Sequence, residues 1–228
     1  MSMPNQKMRP AAQQVLQARP SSAAPSAEHF RTLFASLELS IGSRQVVIGV
    51  TSAVRGEGRT SIAVGLAMTI RTDLDVPITL VDVDLENPSL VQYFGTQLGP
   101  GLAEVLQGKH GFEAVKQVLR KNLSVVGAGS VGPDPLRLLR RLPDQDLFHT
   151  THDGPGVTIL DLPPILTNSY SMLAASVADV AILVVRAGVT PAPLVREAIA
   201  RLGQRPPHGI VLNGFRSPLP SWWPMSGV

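Results

Sequence analysis

Three observations predict a doubly wound, mostly parallel α/β sheet. Six short runs rich in Val, Ile and Leu, at residues 45–52, 78–84, 123–128, 157–162, 180–186 and 209–215, alternate with longer helical segments. Uninterrupted apolar runs of that length are the mark of strands covered on both faces. Strand, crossover helix and strand in succession build one parallel sheet with helices on either side. Hydrophobic residues make up 44% of the 228 residues and charged residues only 16%, against about 25% charged in an average soluble domain. The chain therefore has the apolar surface for a large core, and disorder throughout is excluded.

The elements follow in order. Residues 1–25 are rich in Ala, Gln, Pro and Ser, carry prolines at 4, 10, 20 and 25, and show no sustained periodicity, which predicts a mobile arm. The arm has no apolar run of the signal-peptide kind, so the expected address is the cytoplasm. From Ser26, a candidate helix cap, Phe30, Leu33, Phe34 and Leu37 recur at helical spacing with Glu28 and Arg31 on the polar side, giving an amphipathic first helix. Further helices are predicted over 60–72, 101–107, 112–119, 134–141, 171–178 and 191–202. One domain is expected over 26–216. It is followed by a tail, 217–228, with three prolines and the pair Trp222 and Trp223.

Several function classes drop out early. The most apolar stretch, 177–185, is interrupted by Asp179 and falls short of the ~18 residues of a membrane span, so any membrane contact is peripheral. There is no cysteine, which removes disulfides, thiol nucleophiles and thiolate metal sites. A net charge of +3 is too small and scattered for a nucleic-acid footprint, and nucleic acid is not an expected partner. His29, His110, His149, His152 and His208 show no metal spacing. The tryptophan pair either packs on the domain or docks to a partner or membrane interface. Arg137, Arg140 and Arg141 form a solvated helix end, or a contact for acidic lipid or a neighbouring subunit.

In doubly wound sheets ligands sit beyond the carboxyl ends of the strands, so the residues there carry the chemistry. The first strand leads through Thr51, Ser52, Ala53, Val54 and Arg55 into Gly56-Glu57-Gly58-Arg59-Thr60-Ser61 and at once into a helix. Glycines let backbone N–H groups converge on an anion, the helix start adds its dipole, and the Thr60 hydroxyl is placed for magnesium, which suits a di- or triphosphate. The plainer reading is a tight turn. The second strand ends in Asp82-Val83-Asp84, where alternation puts both carboxylates on one side, either to hold magnesium through water or as a capped strand end. The fourth strand ends in Asp161 before Leu162-Pro163-Pro164, as a magnesium-serving acid would.

Together these strand ends resemble the bacterial tyrosine kinases of capsule and exopolysaccharide assembly. That family is a branch of the deviant-Walker phosphate-loop group, which also holds partition and division-site ATPases. The resemblance runs from about Glu28 to Phe215. It rests on Glu28-x-x-Arg31, on Thr51-Ser52-Ala53 before the glycine loop, and on Asp82-x-Asp84-Leu85 followed by Asn87-Pro88-Ser89-Leu90. Tyr93-Phe94-Gly95, Pro100-Gly101-Leu102, Leu123-Ser124-Val125-Val126, Asp161 before Pro163-Pro164, and Val211-Leu212-Asn213-Gly214 complete it.

The resemblance implies that Gly56, Glu57, Gly58, Arg59, Thr60 and Ser61 contact ATP or ADP, that Thr60, Asp82, Asp84 and Asp161 serve Mg2+, and that Asn213 reads the adenine edge. Arg59, Asp82 and Asp84 would be the catalytic group. It also implies a membrane-embedded polysaccharide copolymerase as partner, location at the inner face of the membrane through it, and a homo-oligomer through the Glu28/Arg31 helix.

The departures cluster where catalysis is decided. Arg59 replaces the loop lysine, Arg55 the loop proline, and Glu86 a basic residue; Phe34 stands where the helix expects a second arginine and Tyr170 where an aspartate is usual. The C-terminal tyrosine cluster is absent, Tyr93 and Tyr170 being the only tyrosines. Lysine is a slim point charge and guanidinium a broad planar fork. The expected protein is thus a degenerate, pseudokinase-like member that regulates polymer export or chain length. The alternatives are an active tyrosine kinase acting on a partner and a partition-type positioning ATPase, whose early loop lysine is Val54 here. The sign reversal at Glu86 also predicts an ion pair with Arg55 or Arg59 across the loop mouth.

Overall fold

The computed structural model describes residues 27–38, 45–95, 99–142, 147–149, 154–203 and 209–215. The arm, the Ser26 cap, His152, His208 and the tail with Trp222 and Trp223 lie outside the described residues, as do the side chains of Leu37 and Glu38.

The apolar runs form strands because each is buried on both faces. All seven residues of β1 (Val46–Ser52) are buried, as are all five of β2 (Ile78–Asp82) and β5 (Val157–Asp161). With β3 (Gln117–Arg120), β4 (Leu123–Val126), β6 (Val180–Arg186) and β7 (Gly209–Asn213) they make a seven-stranded sheet in the order β3-β4-β2-β5-β1-β6-β7. All pairings are parallel except β3 with β4. The sheet is the doubly wound, mostly parallel one the sequence predicts.

Helices cover both faces. On one side α1 (Ala27–Glu38) and α2 (Arg59–Asp73) bury Phe30, Ile62, Leu66 and Ile70 against Ile48, Leu80 and Ile159. A Cβ on Gly65 would meet the Phe30 ring at 2.2 Å, so glycine is what lets α1 lie on α2. The contact is closed by Arg31, whose Nε donates to Asp73 Oδ2 at 2.7 Å. Arg31, expected at a subunit contact, is thus engaged within the chain. The other side is covered by α4 (Leu102–Leu106), α5 (Phe112–Val115), α6 (Pro135–Leu139), α7 (Ser171–Ala175) and α8 (Ala192–Leu202), with Leu160, Leu162, Leu183 and Tyr170 in one cluster. A further short helix, α3 (Leu90–Phe94), was not expected; it follows the Asn87-Pro88-Ser89 turn.

One predicted helix is corrected. Over 112–119 the chain makes only the single turn of α5 and then an antiparallel edge strand, β3. Phe112, Val115 and Leu119 imitate a helical stripe, but Val118 is 76% exposed. The two-residue turn Lys121-Asn122, with Asn122 at φ 63°, folds β3 back on β4, as left-handed asparagine in a tight hairpin does. The second strand also stops at Asp82, so Asp84 lies in the turn beyond it rather than on the strand.

Candidate functional site

The glycine turn and the acidic strand ends meet at one place because β1 sits between β5 and β6, with β2 next to β5. Asp82 is the register partner of Asp161, and Asp161 that of Val50. The loop after β1 turns through Gly56 (φ 82°) and Gly58 (φ 92°), conformations that glycine alone adopts without strain. It then enters the fifteen-residue helix α2 at Arg59, leaving the first backbone N–H groups of that helix free of intrahelical acceptors, the usual anion-binding arrangement.

Thr60 faces the acids as expected. Its hydroxyl donates to Asp161 Oδ2 at 2.6 Å and lies 2.7 Å from Ser89 Oγ, which is itself 3.3 Å from Asp161 Oδ2. Ser89 is a member of the site not singled out from the sequence; its signal was the Asn-Pro-Ser turn after an acidic strand end. Asp82 Oδ2 accepts the backbone N–H groups of Ser89 and Leu90 at 2.7 and 2.9 Å. Burial pushes Asp82 up to about 7, with the Asp161 charge adding to it. Burial likewise raises Asp161 to about 6, against the Thr60 hydrogen bond. The Oδ1 atoms of both acids are buried without a hydrogen-bond partner among the described residues.

Two orphaned carboxylate oxygens beside the Thr60 hydroxyl are the donor set a hard divalent cation prefers. The residues present therefore fit Mg2+ at Thr60, Asp161 and Asp82. Asp84 does not point there. Its Oδ2 accepts from Arg59 Nη2 at 3.1 Å and lies 3.8 Å from Arg55 Nη1, and its Oδ1 accepts the Asn87 N–H at 3.3 Å. No group of three or more acidic or histidine side chains is arranged around a common metal position among the described residues.

The remaining expected contacts are rearranged. The Arg59 guanidinium donates to the Leu162 carbonyl as well as to Asp84 and is largely buried. The buried Glu57 carboxylate turns away from the loop mouth. Its Oε2 accepts the Val54 N–H at 3.0 Å, and its Oε1 accepts from the Arg186 N–H at 3.4 Å and from the Thr190 hydroxyl. Asn213 donates from Nδ2 to the Glu57 carbonyl at 2.8 Å, bracing the loop against the end of β7. The Ser61 side chain is exposed.

Glu86 and Arg55 are 3.6 Å apart, the pairing the charge reversal predicts, and Glu86 Oε2 also accepts from Asn168 Nδ2 at 3.0 Å. Tyr170, buried and raised to about 12 by that burial, accepts the Glu86 N–H on its hydroxyl at 3.1 Å. His149 pairs with Asp179 at 3.1 Å, and Asp179 also accepts the N–H of Val47 near the start of β1, so this histidine belongs to the opposite end of the sheet.

This fold and strand-end geometry define the phosphate-loop class of nucleotide-binding α/β proteins. No protein-family model matches the chain. It is 30% identical over 194 residues to tyrosine-protein kinase YwqD of Bacillus subtilis (strain 168), covering 83% of this chain and 81% of that protein. Tyrosine-protein kinase CpsD of Streptococcus pneumoniae serotype 4 is 30% identical over 193 residues, covering 82% and 83%. The chain belongs to the bacterial tyrosine-protein kinase family. Against the longer tyrosine-protein kinase etk of Escherichia coli K12 it is 29% identical over 171 residues but spans only 23% of that protein.

Among solved structures, the kinase domain of Escherichia coli tyrosine kinase ETK superposes with TM-score 0.75 at 24% identity, covering 91% of this chain and 87% of that one. The VpsO kinase domain gives 0.67 at 27%, covering 83% and 98%. The cell division ATPase MinD of Pyrococcus furiosus, at 0.62 and 21% over 73% and 71%, shares the fold.

Proposed function

We propose that the chain is a nucleotide-binding member of its family with weakened or lost phosphotransfer, working in capsule or exopolysaccharide biosynthesis. In this reading it sits at the inner face of the membrane through a membrane-embedded copolymerase, whose polymer export or chain length it regulates. One observation carries the loss of chemistry. The cation at the start of α2 bonds Asp84 and the Leu162 carbonyl instead of standing free over the glycine turn. A transferring phosphate needs that cation at the developing charge, and a guanidinium held by a buried carboxylate does not reach it without breaking the pair.

Nucleotide binding is supported by what remains. The backbone N–H groups of Gly58, Arg59 and Thr60 at the α2 start would receive the phosphates, and Thr60, Asp161 and Asp82 would hold Mg2+. The bound ion would neutralise phosphate oxygens. Thr60, tethered to Asp161 and Ser89, orients that site, and Arg55 with Glu86 stands at its entrance.

The test is calorimetry with ADP and Mg2+, followed by incubation with labelled ATP and a tyrosine-containing copolymer. Binding without transfer is expected, with transfer raised in Arg59→Lys. Phosphorylation by the unaltered protein as fast as by Arg59→Lys would refute the reading, and failure to bind ADP would refute its nucleotide part.

A further inference from the structure

Two arginines flank the glycine turn, Arg55 before it and Arg59 after it, and both are engaged by carboxylates of the chain itself. Arg59 Nη2 donates to Asp84 Oδ2 at 3.1 Å and Nη1 to the Leu162 carbonyl, with the side chain only 12% exposed. Arg55, 41% exposed, lies 3.8 Å from the same Asp84 oxygen and 3.6 Å from Glu86 Oε2. Neither acid is loose. Asp84, its side chain 3% exposed, also accepts the Asn87 N–H on Oδ1. Glu86 accepts from Asn168 Nδ2, and its own N–H donates to the Tyr170 hydroxyl. The turn after β2 and the segment leading into α7 thus hold two carboxylates against two arginines, and the four charges cancel.

We propose that this network makes the site selective for a nucleoside diphosphate over the triphosphate. The inference rests on the nucleotide-binding reading above and adds which nucleotide is held. Without rearrangement the site offers the backbone N–H groups at the α2 start and the oxygens of Thr60, Asp161 and Asp82, none of which needs a side-chain cation to receive Mg2+ and a diphosphate. A third phosphate adds negative charge, and the metal, which bridges the last two phosphates of a triphosphate, keeps that charge on its own side of the site. The Arg59–Asp84 pair stands on that side, Arg59 being next to Thr60 and Asp84 two residues beyond Asp82. The triphosphate then has two courses. With the pairs intact, it meets the Asp84 and Glu86 carboxylates while both arginines are engaged. If it draws Arg59 away, Asp84 is left buried without its cation, and breaking a buried pair in that way is strongly destabilising. The diphosphate meets neither cost. The guanidinium makes the latch possible, since its planar fork spans a carboxylate and a carbonyl at once.

Calorimetry on the full chain, freed of nucleotide by chelator and dialysis and then supplied with excess Mg2+, compares ADP with ATP and with its non-hydrolysable β,γ-imido analogue. ADP is expected to bind more tightly than either by about tenfold or more. Asp84→Asn keeps an acceptor for the Asn87 N–H and weakens the hold on Arg59; it should narrow the ratio to about threefold or less, chiefly by tightening the triphosphates. Arg59→Lys, which lacks the fork, should narrow it as well and serves if Asp84→Asn does not fold. Equal affinities in the unaltered protein, or tighter binding of the triphosphates, would overturn the selectivity while leaving nucleotide binding in place. A diphosphate preference that survives both substitutions would overturn the role of the arginine pair. Binding of none of the three would reject the nucleotide-binding reading and the selectivity with it.

Discussion

Asp82 and Asp161 stand side by side on β2 and β5, each with one buried oxygen left unpaired. For Asp82 the folded-state value of about 7 lies above the unfolded value near 3.8. The folded protein therefore binds more protons between those values. The associated stability is present below about pH 4 and is lost as the pH rises through about 7. Asp82→Asn keeps an oxygen for the Ser89 and Leu90 N–H groups and removes the charge. Without metal it should be more stable than the unaltered protein at pH 8 by on the order of 2 kcal/mol, and the gap should vanish near pH 4. Urea melts at both pH values check this, and a gap independent of pH contradicts it. At the entrance, Glu86→Gln keeps an acceptor for Asn168 but removes one of the two carboxylates beside Arg55, leaving Asp84. ADP affinity is expected to rise about two- to fivefold, the scale of a half-exposed ion pair, and calorimetry in low salt reads it.

The glycine turn is tied to the end of β6 by its own Glu57. The Glu57 carboxylate gathers two backbone N–H groups and the Thr190 hydroxyl between the ends of β1 and β6. Glu57→Ala leaves these donors buried and unsatisfied, and should destabilise the chain by about 1–3 kcal/mol; hydrogen exchange should quicken at Val54 and Arg186 before it does in the sheet. For α1 the decisive contact is aromatic. Phe30 fills the space that Gly65 leaves, so Phe30→Ala should cost about 3 kcal/mol. Gly65→Leu should expel the helix, seen as loss of helical dichroism and rapid proteolysis near Glu28.

At the level of the molecule, one sheet divides two hydrophobic clusters and couples them. Ile159 and Leu160 are neighbours on β5 that point to opposite sides, each fully buried. Replacing either by alanine should cost about 2–5 kcal/mol. Both should shift a single cooperative denaturation midpoint with the slope unchanged, because both clusters pack on this one strand. Two separate transitions in either variant would show the layers to be independent.

The buried strand runs and the acidic strand ends Asp82 and Asp161 were legible in the sequence because burial on both faces demands continuous apolar runs, and polar residues stand out where those runs end. The edge strand β3 was not, since four residues with one exposed valine carry no periodicity distinct from the last turn of a helix. The proximity of Glu86 and Arg55 was legible as a reversal of charge; the inward turn of Glu57 was not, because Thr190 lies more than a hundred residues away. By itself, then, the sequence determined which residues stand at the strand ends and that a glycine turn starts α2. Only the tertiary structure decided how they are shared out: Asp161 to Thr60, Asp82 to the turn before α3, and Asp84 to the arginines. The reason is physical. Local pattern specifies burial and period, whereas the partner of a buried charge depends on which distant element packs against it.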